Sequence, residues 1–488
     1  MNDFRAFLSL CLLSLALTSP GAAADARHVS AGRTDMEITT KSSLARTYFM
    51  DGFSSFQRAH VEEGKEKWRK AAQEDPNFAL AHIFLTTFGD PAEQASELDK
   101  ALATKEFASV EEQLIIDWFG ASYKAQWVPA IQAMNEALDK FGNHKQVLWL
   151  AGIWLLAQSQ WARSVAVYER LIKIDPSFPD AWNSIAYGYA RTRQFDKAFT
   201  AMERYTQLLP DESNPQDSLA EISRLAGRFE DALTHYRASL KIDPTFIASR
   251  EGLADTYALM GDEPRARAEY ALAIPKAPRV LSVVWGLQSA TTYVRENDLE
   301  NADLAFQAVA TKAREAGIDG LAAESYRIMA LYQKNSAKAK QLLDQATATV
   351  GDARQVAKEF LDQERSVILR TRIHCAIQDN DMNLANTALK ELDDLSSSSS
   401  DASIGLDYGG SLAAILVAQG HYAEAIPHLV EDDRNPYSLR ALMIAYEKTG
   451  AAEKAQQVAQ QLAEFNEPTI EQALVVPAFR LTMIATQN

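Results

Sequence analysis

The chain has 488 residues, of which 47% are hydrophobic and 23% are charged, a composition typical of globular proteins. Its formal net charge is −16, and an acidic surface of this kind repels the phosphates of nucleic acids. We therefore expect no nucleic-acid partner, and we interpret the excess of acid as a solvated surface that keeps the protein soluble.

The N-terminal residues have the features of a secretory signal. Arg5 precedes an apolar run over residues 6–17, and Ala22–Ala24 places small residues at the cleavage positions. The run is shorter than the ~20 residues that span a bilayer. The sequence predicts a signal peptide over residues 1–24, export to the periplasm or the exterior after cleavage near Ala24, and no transmembrane segment in the mature chain. An uncleaved interfacial anchor is the alternative.

The next segment, residues 25–42, is polar and lacks helical periodicity, which predicts a flexible leader in the mature chain. Cleavage removes Cys11 and leaves Cys375 as the single cysteine, so we expect no internal disulfide. Cys375 lies in an apolar helical pattern with Ile368 and Ile373, which favours a buried, unreactive thiol.

A fixed interval organises the middle of the chain. Three series of residues repeat with a step of 34, which is typical of stacked helical repeats. The series are the prolines Pro176, Pro210, Pro244 and Pro278, the small residues Ala130, Ser164, Ala198, Ala232 and Ala266, and the large residues Met134, Tyr168, Met202, Tyr236 and Tyr270.

Each series has a physical reason. Small side chains, such as Gly152 and Ala186 on the first helix of a unit, allow two helix axes to approach closely. Tyrosines such as Tyr168 fill the space between helices. The prolines end the second helix, because proline has no amide hydrogen and clashes with the preceding turn. The sequence therefore predicts units of two antiparallel helices.

The same residue types in the same order occur earlier in the chain, in a unit with Tyr48, Gly52, Gly64, Trp68, Ala71 and Pro76. This pattern resembles the tetratricopeptide repeat (TPR). The resemblance implies an all-α fold, a TPR-type superhelical solenoid of antiparallel helix pairs, with about twelve pairs in all. We predict a TPR array over residues 43–316, with two residues inserted after Pro278.

Beyond Gly317 the pattern blurs. We predict divergent helical pairs over residues 317–395 and a flexible, Ser-rich loop over residues 396–401, where the array is interrupted. TPR-like helical pairs follow over residues 402–466, and residues 467–488 are expected to form a C-terminal capping helix.

Motifs that would carry chemistry are sparse. Lys448-Thr449-Gly450 matches one short element of penicillin-recognising enzymes, but Gly450 more simply ends a helix with a left-handed backbone. His421 and His428 lie on one helix face, and we interpret them as surface residues because Pro427 interrupts that helix. We expect no catalytic residues, no cofactor and no metal, and hence a protein that is not an enzyme.

The resemblance also implies an inner groove lined by the first helices, at positions next to the small and bulky core positions. Aromatic and apolar candidates occupy its N-terminal half, and polar ones its middle. The predicted groove residues are Phe49, Phe53, Phe119, Tyr123, Trp149, Ile153, Asn183, Tyr187, Arg191, Asp217, Glu221, Glu251 and Asp255, with Arg224 beside them.

Two interpretations of these residues stay open. Aromatic anchors and acidic groups suit a partner segment with apolar side chains and a basic stretch. Alternatively, the aromatic residues belong to the core and the acids are ordinary solvated charge, which the acidic composition favours for the acids. Some TPR proteins hold a C-terminal carboxylate with asparagine and lysine. Asn183 matches one such position, but Asp217 and Glu251 stand where lysine is needed, which argues against that mode.

The predicted function is a non-enzymatic scaffold or adaptor that binds a protein or peptide segment in its concave groove. One alternative is an accessory or catalytic subunit of an envelope enzyme, whose site lies after residue 317. A deep cavity there with several converging polar groups would support it. Another is a small-molecule or glycan receptor that uses the aromatic half of the groove. The oligomeric state is left open.

Overall fold

A computed structural model describes residues 34–58, 60–87, 91–124, 126–353, 358–399 and 401–487. Within these ranges the chain forms 25 α-helices and two short 3-10 helices, with no strand, which confirms the all-α fold class. Twenty-four of the α-helices follow one another as twelve pairs, and the last one stands alone. The predicted signal peptide and the leader up to residue 33 lie outside the described residues.

The described chain divides into two compact units, residues 34–222 with 241–243, and residues 223–240 with 244–487. The helices up to the boundary are α1 (Ser43–Gln57), α2 (Val61–Glu74), α3 (Ala79–Leu85), α4 (Pro91–Thr104), α5 (Val110–Tyr123), α6 (Trp127–Phe141), α7 (Lys145–Ala157), α8 (Trp161–Ile174), α9 (Pro179–Arg191), α10 (Phe195–Leu208) and α11 (Ser213–Leu225). The 3-10 helix Lys105–Phe107 follows α4.

The later helices are α12 (Phe229–Ile242), α13 (Ile247–Met260), α14 (Glu263–Ala273), α15 (Arg279–Arg295), α16 (Leu299–Glu315), α17 (Asp319–Tyr332), α18 (Ser336–Asp352), α19 (Lys358–Gln378), α20 (Met382–Ser398), α21 (Ala402–Ala418), α22 (Tyr422–Glu431), α23 (Pro436–Lys448), α24 (Ala452–Ala463) and α25 (Ile470–Gln487). The second 3-10 helix is Ile274–Lys276.

Close contacts between a glycine and a tyrosine hold the regular pairs together. Within the α7–α8 pair, a Cβ atom added at Gly152 would lie 2.5 Å from the ring of Tyr168. Between consecutive pairs, one added at Gly252 of α13 would lie 2.2 Å from the ring of Tyr236 on α12. Tyr168 is fully buried, and the hydroxyl of Ser164 donates a hydrogen bond to the Gly152 carbonyl over 2.8 Å. The small position at Gly152 is therefore required by the large one at Tyr168, as the sequence predicts.

The turn within each regular pair has a left-handed residue at a constant place. Ser159, Arg193, Gly227 and Gly261 are 34 residues apart and have φ values of 56°, 60°, 75° and 81°. Asn297 has a φ of 59° and comes 36 residues after Gly261, which agrees with the predicted insertion of two residues. Glycine adopts this conformation without strain, whereas serine and arginine do not.

Residues 34–42 lie against the first unit, where the sequence predicts a flexible leader. The amide of Met36 donates to Oε1 of Gln146 over 3.0 Å, and the amide of Thr39 donates to Oε1 of Glu112 over 2.8 Å. Met36 and Ile38 are buried. Two apolar side chains in an otherwise polar segment thus suffice to hold it on the helices.

The serine run also differs from its prediction as a loop. Ser396–Ser398 form the last turn of α20, and Asp401 caps α21 by accepting the amide hydrogen of Ser403 over 2.8 Å. A single core cluster includes Ile373, Leu392 and Ile404, from α19, α20 and α21. The array therefore continues through this region, because burial of leucine and isoleucine outweighs the weak helix propensity of serine.

The C-terminal segment reaches further than a cap on the last pair. Val475 and Val476 join a core cluster with α23 and α24, as expected of a cap. In addition, α25 packs against α15, and Nδ2 of Asn466 donates to the carbonyl of Leu225 over 3.2 Å. Contacts between helices this far apart in sequence leave no trace in a 34-residue period.

Candidate functional site

The predicted groove residues form ladders on the first helices. Trp149, Asn183, Asp217 and Glu251 are 34 residues apart, and Ile153, Tyr187, Glu221 and Asp255 repeat the same step four residues later. Positions i and i+4 lie on one face of a helix. In the first unit, the hydroxyl of Tyr187 donates to Oε2 of Glu221 over 2.7 Å, so equivalent positions of α9 and α11 lie side by side.

The aromatic end of the predicted groove is packed into the core of the first unit. Phe49, Phe53 and Trp149 are only 1–3% exposed, and the rings of Phe53 and Trp149 lie 4.6 Å apart. The indole N–H of Trp149 donates to Oδ2 of Asp180 over 2.6 Å. Phe119 and Ile153 are buried as well, whereas Tyr123 is half-buried. These contacts favour a core role for the aromatic residues.

The polar middle in the first unit is made of Asn183, Asp217 and Glu221, which are buried, and Tyr187 and Arg191, which are half-buried. The guanidinium carbon of Arg191 lies 5.9 Å from the centre of the Trp161 ring, where a cation is attracted to the π-face. Arg191 therefore contacts the preceding second helix, α8, whereas Tyr187 bonds to Glu221 on the next first helix, α11.

In the second unit, Asp255 belongs to a buried ion pair. Nη1 of Arg224 lies 3.1 Å from Oδ2 of Asp255, and both side chains are less than 5% exposed. The hydroxyl of Tyr270 donates to the other carboxylate oxygen, and burial together with this carboxylate raises the pKa of Tyr270 well above its usual value. Nε2 of Gln288 donates to Glu251 over 3.4 Å. Asp255 thus has a structural role, which its groove position alone does not reveal.

A second feature is a cavity of about 320 Å³ in the second unit, among α17, α19, α21 and α23 with one residue each of α22 and α25. Its polar lining residues include Arg327, Arg370, His374, Asp407, Ser411, Tyr437, Arg440 and Glu471. None of these was predicted as a site residue. Because the period is blurred after residue 317, the sequence offers no register from which to recognise the inward positions.

Two arginines of the cavity are each paired with two carboxylates. Arg327 donates to Glu324 over 2.6 Å and to Glu471 over 3.4 Å. Arg370 donates to Asp407 over 3.0 Å and forms an ion pair with Asp432. These buried carboxylates and guanidinium groups compensate one another, which is what makes their burial tolerable.

The other polar lining groups are arranged around Tyr437. The His374 ring lies 4.2 Å from the Tyr437 ring, and the guanidinium carbon of Arg440 lies 5.8 Å from its centre. Burial, together with the positive charges of Arg440 and Arg370, lowers the pKa of His374 to about 4, so this imidazole is neutral at pH 7. Arg440 itself is exposed.

The histidines and Cys375 are the residues that could suggest a metal or redox site. No group of three His, Cys, Asp or Glu side chains suited to a metal ion occurs in the ranges that the structure describes. Burial raises the pKa of the Cys375 thiol to about 11, and its sulfur lies 3.9 Å from the Ala330 carbonyl oxygen. A thiol that stays protonated is a poor nucleophile. Gly450 has a φ of 80° after α23, as its helix-ending role requires.

Stacked helix pairs with a close glycine–tyrosine contact and an inner ladder of polar side chains define a helical-repeat protein. Two family models described as tetratricopeptide repeat match the chain, one over residues 150–213 and the other over residues 224–291. These two stretches of the chain carry tetratricopeptide repeats, as the 34-residue pattern predicts. Over the described residues, no helix has the length and apolar character needed to cross a membrane.

The chain is also similar to parts of larger proteins. It is 24% identical to superkiller complex protein 3 of Mus musculus over 114 residues, which are 23% of this chain and 7% of that protein. It is 19% identical to superkiller protein 3 of Schizosaccharomyces pombe over 252 residues, which are 49% of this chain and 18% of that protein. The matched segments span less than a fifth of the length of these relatives.

Among solved structures, the crystal structure of yeast Tom70 superposes with a TM-score of 0.45 and 14% identity, covering 86% of this chain and 96% of that one. The Cut9 and Hcn1 hetero-tetramer of the APC/C superposes with a TM-score of 0.40 and 15% identity, covering 84% of this chain and 76% of that one.

Proposed function

We propose that this protein is a non-enzymatic scaffold or adaptor that binds a protein or peptide segment along the inner face of its first helices. The tetratricopeptide repeats support a protein-binding role in general. The observation that carries the groove itself is the hydrogen bond between Tyr187 and Glu221, since it joins equivalent positions of consecutive repeats into one surface. A partner that follows this surface meets a regularly spaced series of side chains.

The chemistry of the ladders suggests the kind of partner. Asp217 and Glu221 are two carboxylates on one face of α11, and Tyr187 adds a half-buried aromatic ring on α9. A segment with a basic stretch and an apolar side chain complements this set, with the charges governing orientation and association rate. The partner belongs to the compartment that the signal sequence implies, the periplasm or the exterior.

Charge reversal tests the groove. We expect Asp217→Lys with Glu221→Lys to lower the amount of each specific partner captured from the native envelope fraction by about tenfold or more, because opposed like charges cost several kcal/mol. Tyr187→Phe should give a smaller loss. Trp149→Ala is a poor probe, because this indole packs against the Phe53 ring and donates a hydrogen bond to Asp180 within the core.

The matched control carries the same change of charge on second helices. Glu203 on α10 and Glu230 on α12 are exposed, so Glu203→Lys with Glu230→Lys should leave capture unchanged. Circular dichroism melts establish that both double variants are folded. Equal capture by the parent, the groove variant and the control variant would overturn the groove assignment.

Export is tested separately from binding. If the signal peptide is removed near Ala24, intact-mass measurement of the protein recovered from its native host gives the mass of the chain from residue 25 onward. Recovery of a cytoplasmic protein that begins at Met1 would contradict the proposed localisation. The groove proposal concerns other residues and is judged by the charge-reversal experiment alone.

A second candidate function is an accessory or catalytic role for the region after residue 317. One observation favours it, the cavity of about 320 Å³ with converging polar side chains. A pocket of this kind is a common place for a small ligand. The corresponding experiment is the binding measurement described below.

A further inference from the structure

The cavity of the second unit has the form of a built binding site. Three helices each present one face to it at helical spacing, with residues 367, 370, 371, 374 and 378 from α19, residues 407, 411, 414 and 417 from α21, and residues 437, 440, 441 and 444 from α23. The groove residues proposed above all precede residue 256, so the cavity is a distinct site.

We propose that this cavity binds a small organic carboxylate with an apolar body, whose carboxylate pairs with Arg440 and whose body lies between α19, α21 and α23. The apolar lining suits such a body. It consists of Leu331, Val367, Ile373, Ile377, Ala414, Val417, Leu429, Ala441 and Ile444. A mostly apolar wall with few polar groups is the usual composition of small-ligand pockets.

Arg440 supplies the charge. In the described part of the chain it pairs with no carboxylate, and its guanidinium carbon lies 5.8 Å from the centre of the Tyr437 ring. It therefore differs from Arg327 and Arg370, each of which has two carboxylate partners. A planar guanidinium donates two parallel hydrogen bonds to a carboxylate, which makes a carboxylate the fitting partner.

The two acidic residues of the lining are each paired with an arginine. Glu471 accepts from Arg327, and Asp407 accepts from Arg370 and from the Ser366 hydroxyl. Each of these two carboxylates lies within 3.4 Å of a guanidinium group. Since Arg327 and Arg370 are already held by two carboxylates each and His374 is neutral, Arg440 is the lining cation that is left for a carboxylate ligand.

Ser411 provides an independent sign that a ligand belongs here. It lines the cavity and is only 2% exposed, yet its hydroxyl has no hydrogen-bond partner. A buried hydroxyl without a hydrogen-bond partner loses its hydration and gains no hydrogen bond that compensates for it. A ligand oxygen that accepts from Ser411 Oγ would satisfy it, which favours a ligand with a polar atom in addition to its apolar body.

Calorimetric titration of the full chain tests the proposal, with 3-phenylpropanoate as the probe and 3-phenylpropanamide as its neutral counterpart. The carboxylate should bind saturably and raise the melting temperature, and the amide should bind about tenfold more weakly or not at all. Arg440→Gln should lower the affinity for 3-phenylpropanoate by about tenfold, because the variant loses the ion pair with the ligand carboxylate and keeps the apolar contacts. Ala414→Phe should abolish binding, because the added ring fills the cavity.

Arg434→Gln is the matched control. Arg434 is exposed, pairs with Glu467 over 3.3 Å and does not line the cavity, so its substitution should leave the affinity unchanged. Absence of saturable binding to the parent would overturn the proposal, as would equal affinities of the carboxylate and the amide. Binding that survives Arg440→Gln but not Ala414→Phe would overturn the assigned ligand class. Since Arg440 is exposed, its variant is expected to fold, and its melting temperature checks this.

Discussion

The helices pack against one another differently in two regions of the chain, residues 145–278 and residues 317–466. In the first region the helices have 11–14 residues, and a glycine against a tyrosine sets their distance. In the second region they have 10–21 residues, and Arg327 and Arg370 are enclosed by carboxylates. The comparison teaches that shape complementarity sets the spacing of the regular repeat, where Arg224 and Asp255 form a buried ion pair as well, and that arginines held by two carboxylates each line the cavity where the period is lost.

The charged core of the second region gives the largest expected effect. Arg370→Gln should lower the stability by about 3 kcal/mol, because it leaves Asp407 and Asp432 facing each other without their cation. The midpoint of chemical denaturation measures this. Arg265→Gln, which removes an exposed pair with Asp262 in the regular region, should cost less than about 0.5 kcal/mol. Equal losses would mean that burial does not raise the cost of breaking these ion pairs.

The next largest expected change in stability concerns the contact between Gly252 and Tyr236. Gly252→Ala should cost roughly 1–3 kcal/mol, since the new methyl group would overlap the Tyr236 ring. Gly351→Ala is the counterpart in the second region, where no atom lies within 4 Å of the added Cβ, and it should stabilise α18 by up to about 1 kcal/mol. Thermal melts of both variants compare them. A neutral Gly252→Ala would contradict the packing account.

Glu364 makes the stability of the second region depend on pH. Burial, with Glu324 nearby, raises its pKa from 4.5 to about 8, so the folded state retains a proton that the unfolded state releases. Stability should therefore decrease as the pH rises from 4.5 to 8. Glu364→Gln should leave the melting temperature at pH 5 nearly unchanged and raise it at pH 8.5. Glu391→Gln, an exposed change on α20, should alter neither melting temperature. If the Glu364→Gln variant keeps the pH profile of the parent, the raised pKa of Glu364 is refuted.

The smallest effect concerns the turn of the regular repeat. Arg193 has a φ of 60° where the following repeats have Gly227 and Gly261, so Arg193→Gly should stabilise the protein by about 0.5 kcal/mol through relief of strain. Arg193→Ala keeps the strained conformation and should bring no such gain. If the Arg193→Ala and Arg193→Gly variants have the same melting temperature, the turn at residue 193 is unstrained.

The fold was predictable to the extent that it repeats. The 34-residue step predicted the helix pairs of residues 45–316 and their small and large contacts, because each pair depends on its neighbours alone. The contacts of Met36 with Gln146 and of Asn466 with Leu225 were not predictable, since they join residues 110 and 241 positions apart. The helical serines at the end of α20 were missed because local propensity was taken as decisive.

The candidate site was predictable only in part. The ladder through Tyr187 and Glu221 was accessible from the sequence, because the repeat defines which side chains face inward. The cavity was not, since Arg370, Ser411 and Arg440 come from three helices of different lengths in a region without a register. The core role of Trp149 and the ion pair of Asp255 depend on partners 31 residues away that no motif marks.

Hydrogen–deuterium exchange of the full chain with and without a captured partner tests the central claim most directly. If the first helices of the regular repeat are the binding surface, the partner should slow exchange in peptides covering α7, α9 and α11 and leave those covering α17 to α24 unchanged. Protection confined to α17–α24, with α7, α9 and α11 unaffected, would contradict the account and assign the binding function to the divergent region.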